Sequence, residues 1–154
     1  MFEPAESELT PFYVGINREI IDGKKRRHEN LLKKLCKENL INIYGPKTYK
    51  GVDVWKGYRC YKGPIPFDGT SLIETIAKCG IGLVLSSSSH LRAGLPSNRL
   101  FECIAAGVLI ISDRNPFVIK HFTDSVLYID SEEENAVEKV NDIVRWANKN
   151  PDLA

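Results

Sequence analysis

Ile81-Gly82-Leu83-Val84-Leu85 contains no polar side chain, and a second such run, Val108-Leu109-Ile110-Ile111, follows it. A strand with one face in water alternates apolar and polar residues. A strand without alternation is buried on both faces, as in the middle of a parallel sheet covered by helices. Between the two runs lies Gly94-Leu95-Pro96-Ser97-Asn98-Arg99-Leu100-Phe101-Glu102-Cys103-Ile104-Ala105-Ala106-Gly107. It has the grammar of loop, helix and stop: Ser97 can cap the helix and Gly107 can end it. Strand, helix and buried strand in that order predict a parallel crossover unit.

The rest of the chain repeats the alternation. Phe12 to Val14, Ile41 to Tyr44, Tyr58 to Tyr61 and Ser125 to Ile129 have the composition of short strands. His28, Leu31, Leu32 and Leu35 mark a helical stripe between Lys24 and Asn39. Leu72, Ile73, Ile76 and Ala77 mark a second, capped by Asp68 or Thr70 and stopped by Gly80. A short helix opens at Asn115-Pro116. The last helix runs from about Glu132 to about Lys149, with Val137, Val140, Ile143, Val144 and Ala147 on one side. Residues 46 to 57 and Ser86 to Pro96 are expected to be loops. The whole predicts an α/β domain over residues 12–150: a single Rossmann-like, doubly wound parallel sheet of about six strands with helices on both faces. Residues 1–11 lack periodicity and are expected to be a linker or chain end.

Ligands of such sheets bind at the carboxyl ends of the strands, beside the point where strand order reverses. Three segments are expected there: the loop from Gly15 to Gly23, the loop from Ser86 to Pro96, and the start of the 98–106 helix. At about 100° per residue, Leu100, Phe101, Cys103 and Ile104 share the side expected to meet the core. Asn98, Arg99 and Glu102 share the other. A helix N-terminus with an amide, a guanidinium and a carboxylate beside it suits an anion with hydroxyls attached. The same residues also suit a solvated face closed by an Arg–Glu pair, and the helix alone does not choose between these. Gly15 allows close approach of a ligand, with Asn17 and Arg18 within reach of phosphate, or the segment is an ordinary turn. His90, in the loop after the fourth strand, is the candidate catalytic histidine, placed to touch sugar or phosphate or simply solvated. His28 suits a core or boundary position, and Asp113 suits turn formation better than ligand contact.

Several functions are excluded. No G-x-G-x-x-G follows the first strand and no acid ends the second, so a dinucleotide fingerprint is absent. There is no G-x-S-x-G elbow and no P-loop lysine. The histidines share no spacing with carboxylates or cysteines, so no metal site is expected. Cys36, Cys60, Cys79 and Cys103 form no C-x-x-C pair and are expected to be buried thiols in a reducing compartment. The net charge of +1 draws the chain to neither nucleic acid nor lipid. Lys24-Lys25-Arg26-Arg27 is the local exception, a solvated helix face or turn rather than a nucleic-acid patch, and in an intact enzyme a weak contact with an anionic membrane. No apolar run approaches the length of a bilayer span, and cytoplasm is the expected location.

Taken together, Phe12-Tyr13-Val14-Gly15, Ile43-Tyr44-Gly45, Tyr61-Lys62-Gly63-Pro64-Ile65, Gly80 to Leu85, Pro96 to Glu102 with Ala106-Gly107, and Ile110-Ile111-Ser112-Asp113 resemble a known family. It is the C-terminal, nucleotide-sugar-binding domain of GT-B glycosyltransferases, especially the group-1-like enzymes of bacterial surface polysaccharide synthesis. Pro96 to Asp113 is the most specific stretch. The resemblance implies that Glu102 holds ribose hydroxyls and that the amides of Ser97, Asn98 and Arg99 receive the diphosphate. It implies that Gly15, Asn17 and Arg18 lie beside the phosphates and that Ile65 lies near the base. The implied donor is a nucleoside diphosphate sugar of UDP or GDP type, with no metal and no separate cofactor. The implied acceptor is a glycan or a lipid-linked acceptor held by an N-terminal domain that 154 residues do not accommodate. The chain alone is then expected to be an inactive half, with the intact enzyme peripheral at the inner face of a membrane. Many retaining members carry a second glutamate eight residues before the ribose glutamate, and Gly94 stands there. The alternative is a non-catalytic Rossmann-like module that binds a nucleotide or a partner protein.

Overall fold

The computed structural model describes residues 8–17, 20, 21, 23 and 27–154. Arg18 and most of the basic run at 24–27 lie outside the described residues, as do residues 1–7 of the expected linker. The elements are β1 (Thr10–Val14), α1 (Glu29–Lys37), β2 (Asn42–Tyr44), β3 (Thr48–Tyr49), β4 (Val52–Asp53), β5 (Tyr61–Gly63), α2 (Ser71–Cys79) and β6 (Gly80–Val84). They continue with α3 (Ser88–Ala93), α4 (Asn98–Ala106), β7 (Leu109–Asp113), α5 (Pro116–Phe122), β8 (Leu127–Ile129) and α6 (Ala136–Lys149).

Six strands form one parallel sheet in the order β5-β2-β1-β6-β7-β8. The chain starts in the middle, winds outward to β5, crosses back through α2 to β6, and winds outward to β8. Strand order therefore reverses between β1 and β6, where Pro11 is in register with Ile81. This is the doubly wound, Rossmann-like arrangement expected from the two apolar runs.

Successive side chains of β1 show how the two faces are filled. Phe12 packs into a core with Ile76, Leu100, Cys103 and Val118, so α2, α4 and α5 cover that face. Tyr13 packs into the other with Leu31, Leu35, Val140 and Val144, so α1 and α6 cover that one. Asn148 of α6 fixes the start of β1: its Oδ1 accepts the Leu9 N–H at 2.7 Å and its amide donates to the Leu9 carbonyl at 3.2 Å. At α2 the N-cap residue is Thr70, and Asp68 two residues before it supports the helix start: its carboxylate accepts the N–H groups of Thr70 and Ser71 and the Ser71 hydroxyl. Those hydrogen bonds hold its pKa down at about 2.

At Gly82 the sheet and α4 leave no room for a side chain. A Cβ there would run into the sulfur of Cys103 on α4. Gly82→Ala is expected to cost about 1–3 kcal/mol through overpacking, read as a lower urea midpoint at unchanged m-value.

The structure corrects four expectations. Residues 46–57 are not all loop: β3 and β4 pair antiparallel across Lys50 and Gly51, both with positive φ (50° and 78°). Two such residues make the hairpin turn whose twist matches its strands. The return run places Val54 and Trp55 in the core, with Trp55 edge-on to Tyr58 at 5.2 Å between ring centroids. Ser86 to Pro96 holds the short helix α3, capped by the Ser87 hydroxyl and ended by left-handed Gly94. On α4 only Leu100 and Cys103 are buried. Phe101 and Ile104 are 47% and 44% exposed, because a nine-residue helix meets the sheet along a single i, i+3 line. Finally, Cys36 and Cys60 form a disulfide with Cα atoms 5.3 Å apart, and only Cys79 and Cys103 are buried free thiols. The sequence separation of 24 carries no signal for this pairing; it arises because β2 and the hairpin return the chain to the end of α1.

Candidate functional site

The parallel sheet brings the segments after β1, β5, β6 and β7 to one edge, together with the start of α4. Ser97 has extended backbone (φ −77°, ψ 146°), and its hydroxyl accepts the Arg99 N–H at 3.3 Å. The helix that opens there presents first-turn N–H groups at the positive end of its dipole. Asn98 is exposed, and one turn further Glu102 is half-buried. The Arg99 guanidinium donates to the Glu102 carboxylate, with the two side chains 38% and 26% exposed. The internal Arg–Glu pair considered from sequence is therefore present, and it holds the carboxylate on the rim of the strand edge.

The start of α4 is fixed from below by buried polar groups at the ends of β6 and β7. Asp113 is 1% exposed; its carboxylate accepts the Ser86 N–H at 2.9 Å and the Ser86 hydroxyl at 3.0 Å. Arg27 reaches the same carboxylate at 3.4 Å. Asn115, fully buried, donates through its amide to the Ser86 hydroxyl at 3.0 Å and to the Leu95 carbonyl at 2.8 Å. Its oxygen caps α5 by accepting the Phe117 N–H at 2.9 Å. Leu95 lies two residues before the Ser97 cap, so one amide aligns β6, α5 and the entry to α4. His28 closes the network from α1: Nε2 lies 2.7 Å from the Ser86 carbonyl and Nδ1 lies 2.6 Å from the Ser131 hydroxyl. A carbonyl only accepts, so Nε2 carries the proton; in the neutral ring Nδ1 accepts from Ser131. The buried histidine read from the stripe is thus a polar tie between α1, β6 and the segment after β8. Instead of the local turn contact its turn reading expected, the Asp113 carboxylate ties the end of β7 across to Ser86 and Arg27.

The other sequence candidates are placed as follows. Gly15 follows β1 and donates to the Tyr44 carbonyl at 3.2 Å. Gly45, at φ 145°, lies so close that a Cβ would strike the Gly15 carbonyl, so the ends of β1 and β2 touch. Asn17 is left-handed (φ 54°) and 6% exposed, and its amide donates to the Val54 carbonyl at 2.6 Å. That donor is directed at the hairpin segment rather than at the strand edge. Ile65 follows β5, half-buried against the core face that holds Tyr44. His90 is half-buried in α3, with its N–H capped by Ser87 at 3.2 Å and its carbonyl accepting from Gly94 and Leu95. Gly15 and Ile65 follow β1 and β5, and His90 and Ser97 to Glu102 lie in the segments after β6. Sequence reasoning missed the Ser86–Asp113–Asn115 ties; the only local signal was Asn115-Pro116, a helix-start dipeptide.

A family described as glycosyl transferase-like matches residues 25–154. The chain belongs to that family. The matched segment of this glycosyl transferase-like chain contains α4, Asp113, Asn115 and His28; β1 and the loop through Asn17 precede it. No curated protein matches the chain. Among the described residues no helix is long and apolar enough to cross a membrane.

Proposed function

We propose that this glycosyl transferase-like chain is the donor-binding domain of a GT-B enzyme, taking a nucleoside diphosphate sugar of UDP or GDP type. The observation that carries the reading is the Ser97-capped N-terminus of α4 at the sheet's reversal edge, with Glu102 one turn inside it. The diphosphate lies on the amides of Ser97, Asn98 and Arg99, where helix dipole and guanidinium oppose its charge. Glu102 turns from Arg99 to accept the two ribose hydroxyls, while Arg99 swings toward phosphate. Ile65 borders the base, and His90 faces the sugar. As the sugar departs, charge grows on the diphosphate and the helix amides meet it without reorganising. The acceptor hydroxyl is the nucleophile, so the chain needs none of its own. Acceptor and general base belong to groups outside these residues, on a glycan or lipid-linked acceptor of surface polysaccharide synthesis at the cytoplasmic side of a membrane.

Thermal unfolding with UDP, GDP, CDP, ADP and dTDP tests this reading. A ligand at 100 times its Kd stabilises by about 2.7 kcal/mol, which raises Tm by roughly 5–10 °C in a domain of this size. One base is expected to give the shift, and Glu102→Ala is expected to weaken binding about 10- to 100-fold by removing charged hydrogen bonds. The Arg99–Glu102 pair favours a second reading, a non-catalytic module that binds a nucleotide or a partner protein and whose polar face is self-satisfied. An absent shift for every nucleotide, or an equal shift in Glu102→Ala, would select that second reading.

A further inference from the structure

A cavity of about 410 Å³ opens where β2 and β5 begin, at the sheet edge opposite the candidate site. Its volume lies within the range of small-molecule pockets, about 300–1,000 Å³. Lys33 and Lys37 of α1 line one side, and Lys56 and Arg59 from the segment before β5 line the other. All four are exposed, and every charged side chain in the lining is cationic. Lys33 pairs with Glu29 on the helix surface. Lys37, Lys56 and Arg59 have no carboxylate partner among the described residues. Lysines in the last turn of a helix ordinarily serve its terminal carbonyls. Here the carbonyls of Lys34, Leu35 and Cys36 already accept the N–H groups of Glu38, Leu40 and Asn39. Nor do the cations reflect a general excess, because the formal net charge of the whole chain is +1. Lys33 and Lys37, one turn apart, repel each other, and an anion between the two sides relieves that repulsion. Gly57 leaves the backbone bare between Lys56 and Arg59: its φ of 88° favours glycine, and a Cβ there would meet nothing within 4 Å.

We propose that this cavity binds a phosphate monoester or diphosphate group, held between the two lysines of α1 and the Lys56–Arg59 segment. A carboxylate brings one negative charge to four cations. A terminal phosphate brings about two at neutral pH, with three acceptor oxygens, enough to take donors from both sides at once. Arg59 offers paired N–H groups that match two phosphate oxygens, while the lysines act as mobile point charges. The group can arrive on a free phosphorylated compound or on a phospholipid headgroup, and both present the same terminal phosphate. The site lies at the amino ends of the strands, whereas α4 opens at their carboxyl ends, so it is separate from the proposed donor site and does not depend on that reading.

Titration of the isotope-labelled full chain with inorganic pyrophosphate, followed by amide NMR shifts, tests the site. Saturating shifts are expected at Lys33 to Lys37 and at Lys56 to Cys60, counted apart from any at the start of α4. Lys56→Glu/Arg59→Glu changes two exposed positions and is expected to weaken that binding by about tenfold or more, as is a rise from low to physiological salt. Lys78→Glu/Lys120→Glu makes the same charge change at exposed positions outside the cavity and is expected to leave the affinity within about twofold. Sedimentation with phosphatidylcholine vesicles that contain phosphatidic acid separates the two sources. Vesicle binding that Lys56→Glu/Arg59→Glu loses assigns a lipid headgroup, and pyrophosphate binding without sedimentation assigns a free phosphate compound. Unmoved resonances in both segments together with no sedimentation, or equal weakening by the two double variants, would each overturn the proposal.

Discussion

Asp113→Ala is expected to lower the unfolding free energy by about 3–5 kcal/mol, the range for removing one member of a buried charged network. Three donors converge on this carboxylate: the Ser86 N–H, the Ser86 hydroxyl and the Arg27 guanidinium. Alanine leaves the first two buried without their acceptor at the junction of β6 and β7, where the nearest remaining polar groups, Asn115 and His28, are already engaged with Ser86. Asp113→Asn keeps the shape but turns one acceptor into a donor facing donors, so a smaller loss of about 1–3 kcal/mol is expected. Urea unfolding at constant m-value measures both, and the alanine variant should also lose roughly 10 °C in Tm. Because Ser86 and Asn115 together hold Leu95, nucleotide binding should weaken in the same variants. A loss below about 1 kcal/mol for Asp113→Ala would mean that water replaces the carboxylate and that the strand ends are held by backbone pairing alone.

Reduction of Cys36–Cys60 is the second large effect, expected to cost about 3 kcal/mol. A cross-link that closes a loop of this length removes conformations chiefly from the unfolded chain, and that entropy sets the figure. The native bond ties the last turn of α1 to the strand that edges the sheet, between two segments that bury Leu35, Val54 and Trp55. The reduced protein should therefore keep its fold and unfold at a Tm lower by roughly 6–12 °C. Comparing calorimetric scans of the oxidised and reduced wild type measures it without introducing a new side chain. Coincident scans would show that the reduced unfolded chain already keeps these two ends close.

The site residues on α4 and the groups that support them differed in how far they could be read. Ser97, Asn98, Arg99 and Glu102 were legible because a cap, a glycine stop and a 3.6-residue period lie within one continuous segment. The supports beneath them were not. Ser86, Asp113, Asn115, His28 and Ser131 come from four separate stretches, and each looks like an ordinary turn or stripe residue alone. Asn17 shows the opposite error. Its position after β1 suggested phosphate, yet a left-handed backbone turns its amide to Val54, a contact that required the unforeseen hairpin.

By itself the sequence determined the layered α/β architecture. Apolar runs without alternation must be covered on both faces, and helices with one apolar stripe are what covers them. It also determined where α4 begins and ends, because Ser97 and Gly107 act on backbone groups a few bonds away. Tertiary structure alone decided which cysteines join, which half of the apolar face of α4 is buried, and which polar side chains lock the strand ends. Those outcomes depend on contacts between residues far apart in the chain. Such contacts are selected by the summed burial of the whole core and leave no mark on the local pattern around either partner.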